Sequence, residues 1–186
     1  EALEQLAVEH TGGEPVVLDA GCGEGYHTQG IREALLSAGK TPHVAGIDIS
    51  KFAVQKGAKR CPELDLAVAS AYHLPVLNVF SPLAIEEFRR VLKKGGYYMY
   101  VVPAAKHLWE LKEVLYDAPY PNEEKETPYE GFAYREIVPV SYSVHLPTQA
   151  DIQALFQMTP YAWKTPGAGK ARLAELQELD CQVDFR

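Results

Sequence analysis

Short apolar runs alternate with stretches of helical periodicity along the first half of the chain. Pro15–Ala20 (PVVLDA) has strand length, is apolar and runs into glycines, which predicts a buried strand. Ile31, Ala34, Leu35 and Ala38 share one face of a helix predicted over Tyr26–Ala38, which Gly39 closes. His43–Asp48 predicts a second strand, and Ser50 is placed to cap a helix over Lys51–Arg60. Leu64–Ala69 and Leu77–Phe80 read as a third strand and a short fourth one. Ile85, Phe88, Val91 and Leu92 define a helix that ends at Gly95-Gly96, and Tyr97–Val102 is a fifth strand stopped by Pro103. Beyond this point the rhythm changes. His107–Leu115 is helical, and Tyr116–Gly131 is a polar, proline-rich loop or lid. Tyr134–Val144 suggests a strand interrupted by Pro139. Thr148 and Asp151 open a helix that runs to Met158. Gly167–Gly169 reads as a flexible link before a helix over Ala171–Leu179 and a strand from Cys181 to Phe185.

Strands alternating with helices predict an α/β domain whose mostly parallel sheet is covered on both faces. Its 186 residues fit a single domain, 1–186, and 47% hydrophobic with 23% charged residues is the balance of a globular protein. No apolar run reaches membrane-spanning length, so no membrane association is expected. Three widely spaced cysteines, Cys22, Cys61 and Cys181, fit a reducing compartment, and a cytoplasmic location is expected. No C-x-x-C pair is present, so no metal site is expected from these residues. The formal net charge of −7 leaves any nucleic-acid binding to a local basic patch.

In parallel sheets ligands bind outside the carboxyl ends of the strands, and there the chain carries Asp19-Ala-Gly21-Cys-Gly23-Glu24-Gly25-Tyr26-His27. Alternating glycines admit positive φ and close backbone approach to a ligand. The helix that follows offers amides and the positive end of its dipole to an anion. The spacing is G-x-G-x-G, one residue short of the dinucleotide fingerprint. Asp48 ends the second strand, where a carboxylate can accept two hydrogen bonds from a ribose diol; Ile49 follows it.

With VLDAGCGEG and GIDIS both in place, the sequence resembles the class I S-adenosylmethionine-dependent methyltransferases. That resemblance implies a Rossmann-like, seven-stranded, mostly parallel sheet. It implies that the glycine loop holds the methionine part of S-adenosyl-L-methionine, that Asp48 holds the ribose, and that Ser70 and Ala71 lie along the adenine. LDAGCGEGYHT, VASAYHLP, FSP, KHLWELKEVLY, EGF, QMTPYAW and DCQVDF extend the resemblance over nearly the whole chain, to the large-subunit rRNA guanine-N1 methyltransferases. The FSP form is closer to the Gram-positive branch, some of whose members protect ribosomes against macrolides. The resemblance implies a 23S rRNA substrate with an unpaired or flipped guanine. It implies zinc only in an upstream four-ligand module that this chain lacks. The family also carries a longer segment between Pro75 and Asn78. A homodimer is compatible with the sequence and not required by it. A small-molecule methyltransferase, which the acidic charge suits, and a catalytically silent S-adenosylmethionine-binding protein are the alternatives.

Several residues carry two readings. Phe80 and Ser81 stand where amino-methyltransferases place the target base, and Phe80 is equally readable as a core aromatic. His107 follows strand five and is assigned to the cofactor or target, against an ordinary helix start. His73 is either a cofactor-edge contact or a loop residue, and Tyr26 either covers the cofactor or packs. Cys22 reads as a small filler of the loop. Lys106, Tyr161, Trp163 and Lys164 combine rings and charge suited to RNA, although Met158 and Trp163 could equally be core. The residues name no general base.

Overall fold

The computed structural model describes residues 1–69, 77–79, 85–124 and 127–186; nothing is said of the side chains of 77–79. The chain divides into two compact units, Glu1–Val101 and Val102–Arg186.

The first unit is built on five parallel strands, β1 (Val16–Ala20), β2 (His43–Asp48), β3 (Asp65–Val68), β4 (Leu77–Val79) and β5 (Tyr100–Val101), in the order β3-β2-β1-β4-β5. The chain winds outward from β1 to β3 and returns beside β1 at β4, pairing Asp19 with Leu77. In such sheets ligands bind outside the carboxyl ends of the strands at a reversal of this kind. Helices α1 (Ala2–His10), α2 (Tyr26–Ser37) and α3 (Lys51–Arg60) pack on this sheet, and α4 (Ile85–Val91) follows β4. The periodic residues of α2 explain its docking: Ile31 and Leu35 are fully buried with Ala7 of α1 and with Val17 and Val44, paired neighbours on β1 and β2. Burying an isoleucine or leucine contributes roughly 1.5–3 kcal/mol. Ile31→Ala is therefore expected to lower unfolding free energy by about 2–5 kcal/mol in a urea titration. Ser50 caps α3 as expected, accepting a hydrogen bond from the Ala53 amide at 3.3 Å.

The second unit holds α5 (Trp109–Leu115), β6 (Val140–Leu146), α6 (Gln149–Met158), α7 (Tyr161–Lys164), α8 (Gly167–Glu175) and β7 (Leu179–Phe185). Strands β6 and β7 form an antiparallel pair from Val140↔Phe185 to Leu146↔Leu179. Leu111, Leu115, Ile152, Phe156, Leu173 and Cys181 form its core. Thr148 caps α6 as expected, accepting from the Asp151 amide.

Several expectations shift. Helix α1 was not read from the pattern at all. Strand β6 starts after Pro139, because proline cannot donate to the ladder. Gly167–Gly169 is not a link but the first turn of α8, where a Cβ on Gly169 would overlap the Leu115 carbonyl of α5. The glycine is needed for helix contact, not for flexibility. Residues 116–124 and 127–131 carry no helix or strand, matching the predicted loop. Among the described residues, five strands stand in one parallel sheet and two in an antiparallel pair, where seven were expected together.

Candidate functional site

Three glycines shape the bend after β1. Gly21, Gly23 and Gly25 have φ of 92°, 54° and 75°, a region that costs an L-residue roughly 1–2 kcal/mol. The amides of Gly21 and Cys22 both donate to the Ile47 carbonyl, at 2.7 and 3.0 Å, which fastens the bend to β2. Asp48 completes the fastening. Its Oδ2 accepts from the Gly23 amide at 2.9 Å and its Oδ1 from the Ser50 amide at 2.7 Å. The carboxylate therefore joins the glycine bend to the start of α3, and each oxygen retains a lone pair for a further donor. Ile49 beside it is 79% exposed, an apolar side chain displayed at the rim.

Asp19 stands under the bend and is 1% exposed. Its Oδ2 accepts from the Thr28 hydroxyl at 2.6 Å, while Oδ1 is buried with no hydrogen-bond partner among the described residues. Burial pushes the carboxyl up, and the Thr28 hydroxyl and nearby His27 oppose that shift. A buried carboxyl with an unpartnered oxygen is stabilised by a further donor or by staying neutral. Because its folded-state pKa is raised, Asp19 binds its proton more tightly folded than unfolded. Its contribution to stability is greatest below the ordinary aspartate range and is lost as pH rises through the raised value. Asp19→Asn is expected to flatten that loss in acid-to-neutral thermal melts of the ligand-free protein.

Glu24 and Tyr26 turn away from the bend toward α3. Lys56 donates to the Glu24 carboxylate at 2.8 Å, Arg60 donates to the Glu24 carbonyl at 2.8 Å, and the Arg60 guanidinium lies 3.4 Å from the centre of the Tyr26 ring. The Tyr26 ring is otherwise 69% exposed. His27 is exposed in the first turn of α2. Cys22 is buried, and burial raises its thiol to about 12, which suits a filler and not a nucleophile.

Asp19, Gly21, Gly23, Glu24, Gly25, Tyr26, His27, Asp48 and Ile49 thus come together in the first unit. Ser70, Ala71, His73, Phe80 and Ser81 lie outside the described residues. Lys106, His107, Tyr161, Trp163 and Lys164 belong to the second unit. There His107 is half-buried against the Phe185 ring, with Nδ1 2.9 Å from the Asp184 carbonyl oxygen. Burial lowers its pKa, and the hydrogen bond to the Asp184 backbone opposes that shift. Trp163 is 90% and Met158 84% exposed, so neither is core; Lys106 and Lys164 are exposed as well. Tyr161 is half-buried, edge-on to Tyr116, and burial raises its hydroxyl to about 12.

The sequence reading missed Thr28, Gly57 and Lys112. Thr28 sits one helical turn before Ile31 on the buried face, a polar residue in an apolar stripe. Gly57 interrupts α3 where a Cβ would stand 2.8 Å from the Glu24 carbonyl oxygen. Lys112 falls between Leu111 and Leu115, inside the apolar pattern of α5.

A family described as a methyltransferase domain matches residues 13–78, the span that carries the glycine bend and Asp48. A Bacillus subtilis protein provisionally named 23S rRNA (guanine-N(1)-)-methyltransferase YxjB is 36% identical over 181 residues, covering 90% of this chain and 64% of its own. A Micromonospora griseorubida protein with the same provisional enzyme name is 34% identical over 185 residues, covering 89% of this chain and 61% of its own. The chain is similar to both of these proteins over about nine tenths of its length. It spans under two thirds of their length. A malonyl-[acyl-carrier protein] O-methyltransferase of Hamiltonella defensa is 32% identical over 112 residues, 52% of this chain and 41% of its own. Among solved structures, a provisionally named type II methyltransferase of Anaeromyxobacter dehalogenans superposes with a TM-score of 0.55 at 17% identity, covering 99% of this chain and 92% of that one. The expected α/β methyltransferase-like fold is found, without the single seven-stranded sheet.

Proposed function

We propose that the chain is the methyl-transfer domain of an enzyme that carries a methyl group from S-adenosyl-L-methionine to N1 of a guanine in 23S rRNA. The names of the homologous proteins over about nine tenths of the chain support the substrate. The observation that carries cofactor binding is the double bond of Asp48 to Gly23 and Ser50, which leaves acceptor capacity at the mouth of a glycine bend. The orphaned Oδ1 of Asp19 fits the ammonium of the methionine moiety. The amides of the bend and the start of α2 suit its carboxylate. Asp48 would take the ribose hydroxyls and Ile49 the adenine face, with Ser70, Ala71 and His73 along its edge. The bound cofactor supplies an electrophilic methyl carbon on a sulfonium and leaves as S-adenosyl-L-homocysteine. The protein's own task is alignment and water exclusion.

On this reading Phe80 and Ser81 hold the target base and His107 stands at the cofactor or target rim. The exposed Trp163, with Lys106 and Lys164, meets the RNA, and Tyr161 supports that surface from below. The guanine is unpaired or flipped out. Residues 1–186 act as one domain in which β6 and β7 complete a seven-stranded sheet. Zinc belongs to an upstream module, the enzyme works in the cytoplasm, and a homodimer is compatible with the sequence without being required by it. Among the described residues no helix is long and apolar enough to cross a membrane.

A second reading, a methyltransferase of small or carrier-bound acids, draws on the relative named malonyl-[acyl-carrier protein] O-methyltransferase and on the net charge of −7. One experiment separates them: incubation of the full-length protein with unmodified 23S rRNA and S-adenosylmethionine, with mass mapping of the nucleotides. A methylated guanine N1 is expected. Methylation of carboxylic acids alone would favour the second reading. Cofactor binding without any methylation would identify a silent binding protein.

A further inference from the structure

Helix α3 carries Lys51, Lys56, Lys59 and Arg60 and no acid, in a chain whose net charge is −7. Its polar and aromatic side chains fall in two rows of four-residue spacing, and residues so spaced are neighbours on a helix surface. Phe52, Lys56 and Arg60 form the row beside the glycine bend. There Lys56 pairs with the Glu24 carboxylate, and Arg60 donates to the Glu24 carbonyl and lies over the Tyr26 ring. Lys51, Gln55 and Lys59 form the adjacent row, and all three are exposed.

The cations of this helix differ in what they already hold. Glu24 offsets Lys56. No hydrogen bond or ion pair engages Lys51 or Lys59 among the described residues. Lysines elsewhere are spent: Lys40 donates to the Val8 and Thr11 carbonyls at the end of α1, and the fully buried Lys112 donates to the Tyr120 carbonyl and Asn122 Oδ1, each at 2.8 Å. Phe52 is 84% exposed, so its ring adds nothing to the core. Uncompensated cations around a displayed ring match a polyanion whose units carry flat faces. Unpaired RNA is such a ligand, because its phosphates meet ammonium groups while a base stacks on an aromatic ring. An anionic membrane attracts cations too, but binding in its interface requires an apolar helix face. Phe52 is the one apolar side chain larger than alanine that α3 exposes.

We infer that the exposed face of α3 is an RNA-docking surface, on which Lys51 and Lys59 hold phosphates, Phe52 stacks on an unpaired base and Arg60 adds to the positive field. The inference rests on the rRNA-methyltransferase reading and gives the first unit a substrate contact of its own. The surface is tied to the cofactor residues by local bonds alone. Asp48 accepts from the Ser50 amide, and the Ser50 hydroxyl caps α3. RNA held on α3 is therefore held at a fixed distance from Asp48, within one unit.

The test uses the full-length protein and a fluorescein-labelled 23S rRNA hairpin that carries the guanine found by mass mapping. Lys51→Gln combined with Lys59→Gln is expected to weaken hairpin binding about 10-fold at about 0.1 M salt, and to flatten the plot of log affinity against log salt by about 1.4, the slope of two lost phosphate contacts. Phe52→Ala is expected to weaken binding about 10-fold with the salt slope unchanged. Both variants should keep the wild-type melting temperature and S-adenosylhomocysteine affinity, and Lys51→Arg with Lys59→Arg should keep hairpin binding. Lys93→Gln with Lys94→Gln removes the same charge from another exposed stretch of the first unit, and should bind within about twofold of wild type. If wild type methylates guanine N1 while the α3 variants bind the hairpin within about twofold of it, the docking assignment falls and the function stands. An equal loss in the Lys93 and Lys94 variant would trace the effect to net charge and also overturn the assignment. So would α3 variants that lose sedimentation with phosphatidylserine vesicles while keeping the hairpin, since that surface would then serve a membrane. If wild type neither binds nor methylates rRNA, the function falls and the docking assignment falls with it.

Discussion

Asp48→Ala is expected to weaken binding of S-adenosylhomocysteine by about 10- to 100-fold in calorimetric titration, the measure of a lost charge-assisted hydrogen bond of about 1.5–3 kcal/mol. The carboxylate has two duties: it holds the Gly23 and Ser50 amides and keeps lone pairs for the ligand. Asp48→Asn separates them. The amide keeps one acceptor oxygen for a backbone partner, so the bend survives better than in the alanine variant, while the diol loses half its acceptors. An affinity unchanged in both variants would remove Asp48 from the site.

Gly57→Ala is expected to destabilise the first unit and loosen its ligand site together. Two effects oppose each other at this buried position in α3. Alanine favours a helix over glycine by about 0.8–1 kcal/mol. The added methyl would stand 2.8 Å from the backbone carbonyl oxygen of Glu24 and 2.9 Å from Leu66. Backbone cannot rotate aside, and overpacking typically costs about 1–3 kcal/mol, so steric conflict outweighs propensity. The helix must shift away from the bend that Arg60 and Lys56 hold. A lower melting temperature with a weaker ligand affinity checks this; a stabilised protein would show that α3 does not brace the bend.

The site was legible wherever chemistry follows chain order. Glycines at alternate positions and an acid closing β2 need no tertiary information, because strand ends in a parallel sheet converge on one edge. Ser50 and Thr148 were legible for a similar reason, since a cap acts within one turn. What escaped depended on partners distant in sequence. Gly169 reads as a link until α5 is seen against it. Lys112 looks like an ordinary helix lysine until the loop that wraps it is known. Helix α1 owes its place to Ala7 fitting against α2, and that small residue carries little hydrophobic signal. The Arg60 guanidinium over the Tyr26 ring was not readable either, because the two residues lie on different helices.

The three cysteines have a practical consequence. Cys22 and Cys61 are buried in the first unit and Cys181 in the second. Burial raises the thiols of Cys22 and Cys181 to about 12 and about 11. A thiol-reactive dye added to the native protein therefore meets almost no thiolate and must wait for local opening. The rates at which the individual sulfurs become labelled time the breathing of each half of the chain separately, with no engineered probe.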